Sequence, residues 1–278
     1  MTTSKSNRQI TDKEQKKILI EILAYIDSVC RKYHIKYSLV GGSMIGAVRH
    51  HGIIPWDDDV DIVFTPENYQ KFIDTIQAHP DERYRLLTHE IEPTYFYPYA
   101  KIVDSYTTLD EYEFQPINNY GVYVDVFCYH RVPNDENLRR KQFDQLKRTI
   151  GMLVVKMRKN QDNSYTKNPL KILKNYYIRM LSVEQILKRY QEIVSRYNDL
   201  EDAKFYCVNW PAYSYINEIV PITDYAKYHD TDFDGITVML ADGYDHVLTT
   251  TYGDYMQLPP KEKRIPHHTF TAEYKKSK

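Results

Sequence analysis

Cysteine is scarce: three in 278 residues, at positions 30, 128 and 207, with no C-x-x-C pair. That spacing supports neither a disulfide framework nor a zinc knuckle, and it suits reduced thiols in a cytoplasm. Nowhere does the chain reach the roughly 20 apolar residues that a bilayer-spanning helix requires. The N-terminal MTTSKSNRQITDKEQKK has no apolar signal core. The expectation is a soluble, cytoplasmic protein. An excess of one charge is missing too, since 37 basic and 38 acidic side chains leave a net charge of −1. The overall balance therefore draws the chain to neither nucleic acid nor an anionic membrane. RNP, KH and zinc-finger signatures are absent, so no nucleic-acid partner is expected, and no H-E-x-x-H pattern suggests zinc. With 9 glycines and 13 prolines against 42% hydrophobic residues, the chain is expected to fold. Its length allows one large domain, or a catalytic domain with a helical appendage.

Tyrosine, by contrast, is abundant, with 27 copies. Two readings stay open: strand propensity with compositional bias, or rings lining a pocket for a sugar or a quaternary ammonium. The chain opens with a capping box, TDKE at 11–14, before apolar residues at helical spacing, which predicts an amphipathic helix over 12–33. IKYSLV (35–40) then reads as a strand ending at Gly41-Gly42, and Ser43 to His50 as a short helix stopped by Gly52 and Pro55. VDIVF (60–64) reads as a strand, and Thr65-Pro66 opens a helix over 66–77. YRLLTHEI, YPYAKIV and GVYVDVFCY follow as strands, and helices are expected over 135–160, 169–180 and 182–199. The tail returns to mixed structure. The pattern predicts a mixed α/β (α+β) fold, a small helix-flanked β-sheet with a helical insertion. The expected boundaries are a catalytic core at 1–134, a basic helical insertion at 135–200, and a C-terminal segment at 201–278 folding back near the active site.

The densest chemistry is GGSMIGAVRHHGIIPWDDDVDI, residues 41–62. Residues i and i+2 of a strand face one side, so Asp59 and Asp61 are expected to bracket hard cations, Mg²⁺ or Mn²⁺, with oxygen ligands. Asp125, in the apolar run YVDVF, completes a three-carboxylate site if its strand lies beside 59–64. Gly42 and Ser43 fall where a strand ends and a helix begins, a place where backbone N–H groups hold anions. A calcium loop is disfavoured because the glycine and glutamate of an EF-hand are missing at their positions. Anion cradle and metal carboxylates together describe phosphoryl-type transfer from a nucleotide.

The 41–62 block resembles the signature of the LicD family, within the nucleotidyltransferase-fold superfamily and similar to the catalytic part of fukutin-type proteins. The pattern hG[GS], D-h-[DE]-h, h-[DE]-h is carried by Val40-Gly41-Gly42-Ser43, Asp59-Val60-Asp61-Ile62 and Val124-Asp125-Val126. YAKIVDSYTTL (99–109), YGVYVDVF (120–127) and YGDYMQLPPKEKRIPHH (252–268) extend the likeness, while 135–200 carries no family motif. The resemblance implies a nucleotidyltransferase-like core and transfer of a phospho-alcohol, typically phosphocholine from CDP-choline with release of CMP. The acceptor would be a hydroxyl of a lipid-linked cell-surface glycan precursor of the teichoic acid, capsule or lipopolysaccharide type. Ribitol or glycerol phosphate is the alternative cargo, and addition of NMP to a small molecule the alternative reaction. On this reading Asp59, Asp61 and Asp125 are metal ligands and catalytic residues, with Asp125 also taking the acceptor proton. Ser43 and the Gly42 amide hold donor phosphate, while Lys101 and Arg49 neutralise phosphate or departing CMP. Asp57 either backs the metal site or faces water, and Trp56 packs beneath it or touches ligand. If the donor carries choline, Trp56, Tyr97, Tyr99 and Tyr123 are candidates for an aromatic cage. Arg264 and His267-His268 are candidates to close over the acceptor.

Residues 139–189 hold fourteen Lys/Arg against three acids, interleaved with apolar residues. This reads as a basic amphipathic surface for peripheral contact with the anionic inner face of the plasma membrane, or as a solvated helix face balancing the acidic core.

Overall fold

The computed structural model describes residues 8–159, 167–266 and 269–275. Strand β1 (Arg8–Gln9) leads into α1 (Asp12–Lys32), whose capping box forms as expected, with Thr11 and Glu14 each satisfying the other's backbone N–H. Next come β2 (Ser38–Leu39), α2 (Gly41–Ile45) running into a π-helical turn over Gly46–His50, β3 (Asp61–Phe64) and α3 (Pro66–Ala78). Four strands follow: β4 (Tyr84–Leu87), β5 (Ala100–Asp104), β6 (Thr107–Glu111) and β7 (Tyr123–Val132). The helices α4 (Glu136–Met157), α5 (Pro169–Met180) and α6 (Val183–Val194) come next. The chain finishes with β8 (Phe205–Val208), α7 (Tyr215–Glu218), β9 (Ile219–Pro221), β10 (Tyr228–Phe233), β11 (Ile236–Ala241), α8 (Tyr244–Tyr252) and β12 (Phe270–Tyr274).

The expected mixed α/β architecture is present. A seven-stranded sheet runs β2-β3-β7-β5-β4, with β8 attached to β7 and β9 to β8. The β3–β7 pair is parallel and the other pairings are antiparallel. Strand β7 is long enough for two jobs. Its first half lies between β3 and β5, while residues 129–132 pair with β8 and carry the sheet into the C-terminal part of the chain. The largest apolar cluster accordingly draws on Leu23 and Ile26 of α1, Ile62 of β3, Val124 and Val126 of β7, Leu240 of β11 and Ala272 of β12. Strand β12 returns to the N-terminal part, between β1 and β6.

Helix and strand limits differ from expectation where a local rule met a tertiary one. IKYSLV yields only two strand residues, because Tyr37 is drawn into the core, where its hydroxyl donates to Asp27 at 2.9 Å. Residues 97–99 of YPYAKIV stay outside β5; their side chains turn into a second aromatic cluster with Tyr120 and Tyr123, against Leu153 and Met157 of α4. The hairpin β10–β11 and strands β8 and β9 were not foreseen. Of these, β10 (YHDTDF) is polar and is held as a strand by pairing with β11, whereas β8 (FYCV), β9 (IVP) and β11 (ITVMLA) are short apolar runs of strand-forming residues.

Candidate active site

The parallel register of β3 and β7 sets Asp61 opposite Asp125, and the antiparallel register of β5 and β7 sets Asp125 opposite Lys101. Residues directly opposite across neighbouring strands share a face, so Asp61, Asp125 and Lys101 form one row across the middle of the sheet. Alternation along β7 puts Phe127 and Tyr129 on that face as well. Lys101 is 1% exposed and its Nζ is ion-paired with Asp125 Oδ1. Four tyrosine rings surround the same ammonium, with centroids at 3.4 Å for Tyr123, 4.8 Å for Tyr97, 5.3 Å for Tyr99 and 6.0 Å for Tyr120. The hydroxyls of Tyr97, Tyr120 and Tyr123 donate to Glu111. The tyrosines named for a choline cage thus enclose the chain's own ammonium, and Lys101 meets a carboxylate where a phosphate was expected.

In front of the row opens a cavity of about 990 Å³. Asp57, Asp59 and Asp61, whose charges act on one another, give it an acidic wall with Gly41 and Gly42; Arg49, Lys263 and Arg264 line the same cavity, and Arg49 feels the Asp57 charge. Asp125 and Lys101 are not among its lining residues. Gly41 holds φ = +61°, in the left-handed region that side chains seldom adopt. A Cβ at Gly42 would stand 2.8 Å from Asp57 Oδ2, so this glycine admits the buried Asp57 carboxylate. Ser43 is buried, and its Oγ accepts the Asp61 N–H at 2.9 Å, which anchors the start of β3. Arg49 donates to the Tyr255 and Gln257 carbonyls and so holds the 252–260 segment as a cavity wall. Arg264 lies over the Trp56 ring at 5.4 Å, and both line the cavity. His267 and His268 lie outside the described residues.

Burial pushes the Asp61 carboxyl well above the usual carboxylate range; the charges of Asp59 and Asp125 add to this, Lys101 opposes it, and Asp57 adds a smaller push. A hard divalent cation would relieve that crowding. Among the described residues no three His, Cys, Asp or Glu side chains gather closely enough to hold a metal by themselves. Mg²⁺ is commonly held by one or two carboxylates plus substrate phosphates, and the cavity-lining Asp59 and Asp61 fit that mode.

Several lining residues were not named from the sequence: Trp210, Tyr213, Asn217 and Glu218 from the β8–α7 region, and Tyr252 at the end of α8. The signal for Tyr252 was its place in YGDYM; nothing marked the others.

Carboxylates and cations thus line one cavity, over a mixed sheet with carboxylates on neighbouring strands. Residues 34–150 match the family model described as LicD/FKTN/FKRP, nucleotidyltransferase domain. The chain is 29% identical over 269 residues to the lipopolysaccharide cholinephosphotransferase LicD of Haemophilus influenzae, across 94% of this chain and 97% of that protein. It is also 48% identical over 44 residues to the ribitol 5-phosphate transferase FKRP of Homo sapiens, which is 16% of this chain and 9% of that one.

Proposed function

We propose that this chain transfers phosphocholine from CDP-choline to a hydroxyl of a lipid-linked glycan precursor, releasing CMP. The chain is a transferase of substituted phosphate groups. The supporting observation is the cavity itself, where Asp59 and Asp61 face the same space as Arg49, Lys263 and Arg264. A diphosphate in that space meets both cations and carboxylates suited to Mg²⁺ or Mn²⁺. A bound divalent ion would neutralise diphosphate charge and help align the attacking oxygen.

The acceptor oxygen forms a bond to the phosphorus that carries choline, the bond from that phosphorus to the CMP oxygen breaks, and CMP leaves with the electron pair. The acceptor proton passes to a cavity-facing carboxylate; of those that line the space, Asp59 and Asp61 are assigned this role. Asp125, ion-paired with Lys101, stands beside Asp61 in the row, and the lysine offsets the repulsion between the two carboxylates. Arg49 and Lys263 receive the departing CMP phosphate. Ser43 and Gly42 act through Asp61 and Asp57, by anchoring the one and admitting the other. The rest is positioning and charge neutralisation, which supply most of the rate in such reactions.

The acceptor side is assigned to a membrane surface. No described helix is long and apolar enough to cross a membrane. Helix α5 instead exposes Leu170, Leu173, Tyr176, Tyr177 and Met180, with Leu170 at 76% and Met180 at 84%. Lys167, Lys171, Lys174 and Arg179 flank them, with no acid from 167 to 183. Apolar side chains among lysines suit the headgroup region of an anionic bilayer. The basic stretch expected over 139–189 thereby narrows to one helix.

The test is product analysis. Incubation with CDP-choline, Mg²⁺ and a lipid-linked glycan should release CMP, and excess EDTA should abolish release until Mg²⁺ is restored. Pyrophosphate from a nucleoside triphosphate, with no CMP from CDP-choline, would establish NMP addition instead.

A further inference from the structure

Glu218 ends α7 and lines the cavity at 9% exposure. Its carboxylate accepts the backbone N–H groups of Tyr213 and Ala212. Among the described residues it forms no ion pair. Lys147, the cation that acts on it through space, donates its own hydrogen bonds to the Pro211 carbonyl at 2.9 Å and the Ala212 carbonyl at 3.4 Å. A buried carboxylate held by two amides and short of a cation is costly to keep ionised, and burial raises its proton affinity accordingly.

Aromatic side chains share the cavity with Glu218, which accepts the Tyr213 N–H and acts electrostatically on Tyr252 and Tyr129. Trp210, Tyr213, Tyr252, Phe127 and Tyr129 all line the same cavity. The Tyr213 and Tyr252 rings meet edge to face at 5.3 Å. Tyr252 is also the link to the acidic wall. Its hydroxyl lies 3.7 Å from where a side chain on Gly41 would begin, and it feels the charges of both Asp61 and Glu218. One tyrosine side chain therefore spans the space between Glu218 and the carboxylates assigned to the diphosphate.

Ring faces attract a diffuse organic cation, and a carboxylate among them neutralises it. A neutral polyol would leave Glu218 buried beside no charge. We propose that Glu218, with Trp210, Tyr213 and Tyr252, forms the subsite for the quaternary ammonium of the donor alcohol. The assignment rests on the phospho-alcohol transfer reading and makes Glu218 the residue that selects choline over ribitol or glycerol.

Calorimetric titration of the full chain in Mg²⁺ with CDP-choline and with CDP-glycerol tests it. Wild type should favour CDP-choline by about tenfold or more. Glu218→Gln, which keeps the shape and an acceptor for the two amides, should lose that preference while holding CDP-glycerol as wild type does. Unchanged CDP-glycerol binding also shows that the variant is folded. Tyr213→Leu, at a position 46% exposed, provides a second variant with the same expected direction. If both variants bind CDP-choline as tightly as wild type, the subsite is overturned, and CMP release by wild type would leave the transferase reading standing. A wild type that prefers CDP-glycerol overturns the choline assignment and the subsite together. CMP release from CDP-glycerol would then still support phospho-alcohol transfer.

Discussion

Lys101 and Asp125 stand opposite one another on β5 and β7 and close a buried ion pair, with the ammonium against the face of the Tyr123 ring at 3.4 Å. On the other side of Asp125, in the same row, is Asp61. Two carboxylates directly opposite each other on adjacent strands repel, and the lysine at the end of the row offsets this. The row thereby delivers one carboxylate to the cavity while the next is neutralised from behind.

Removing the lysine should expose that dependence. Lys101→Met leaves Asp125 buried without its cation, which is expected to cost about 3–5 kcal/mol in denaturant unfolding. Adding Asp125→Leu should recover much of the loss, because the apolar pair no longer strands a charge. Both variants should lose CMP release. A Lys101→Met protein with wild-type stability and activity would mean that the pair is dispensable.

Gly42 and Ser43 should separate in their effects, since neither is assigned a direct grip on phosphate. Ser43→Ala leaves the Asp61 N–H without its acceptor and should cost about 1–2 kcal/mol, a drop of a few degrees in Tm. Gly42→Ala places a methyl group 2.8 Å from Asp57 Oδ2 and must displace that carboxylate. It should reduce kcat by about tenfold or more with a smaller change in KM for the donor. A rise in KM alone would instead favour a phosphate contact at Gly42.

Much of this was legible in the chain. The capping box and the β-branched run of β3 are local signals, and α1 and β3 followed from them; that Asp125 would stand beside Asp61 was a condition of the reading, which the β3–β7 register meets. What could not be read was which groups each side chain would face. Lys101 carries no local mark to say that tyrosines 97, 99, 120 and 123, spread over 27 positions of sequence, would converge on it. Glu218 lies in a stretch without motif and reaches the cavity only because β8 extends the sheet from the far half of β7. Such meetings are set by topology, and strand pairing between distant segments leaves little trace in either partner alone.

His130 on β7 gives a pH dependence independent of the site. It is 3% exposed, its Nδ1 has no hydrogen-bond partner among the described residues, and burial lowers its pKa to about 3. The unfolded chain binds this proton near pH 6.5 and the folded one near 3, so the unfolded state carries more protons in between and stability falls as pH drops through that window. At pH 5 the contribution is about 2 kcal/mol. His130→Leu should therefore flatten the decline of ΔG between pH 7 and pH 5 by roughly that amount relative to wild type. Parallel curves for the two proteins would show that His130 does not titrate across this transition.

The exposed face of α5 makes the last prediction. Wild type should float with vesicles containing anionic phosphatidylglycerol and remain at the bottom with pure phosphatidylcholine, because the cations of 167–179 contribute about 1 kcal/mol each only against negative headgroups. Raising salt should weaken the association, since exposed charges are screened within about 8 Å at physiological ionic strength. Leu173→Glu and Met180→Glu remove apolar contact at exposed positions, so folding should be unaffected while flotation falls about tenfold for each. Light scattering supplies the competing outcome. If the protein forms a dimer that either substitution dissociates, and lipid makes no difference, then a second copy of the chain covers this face and the membrane assignment fails.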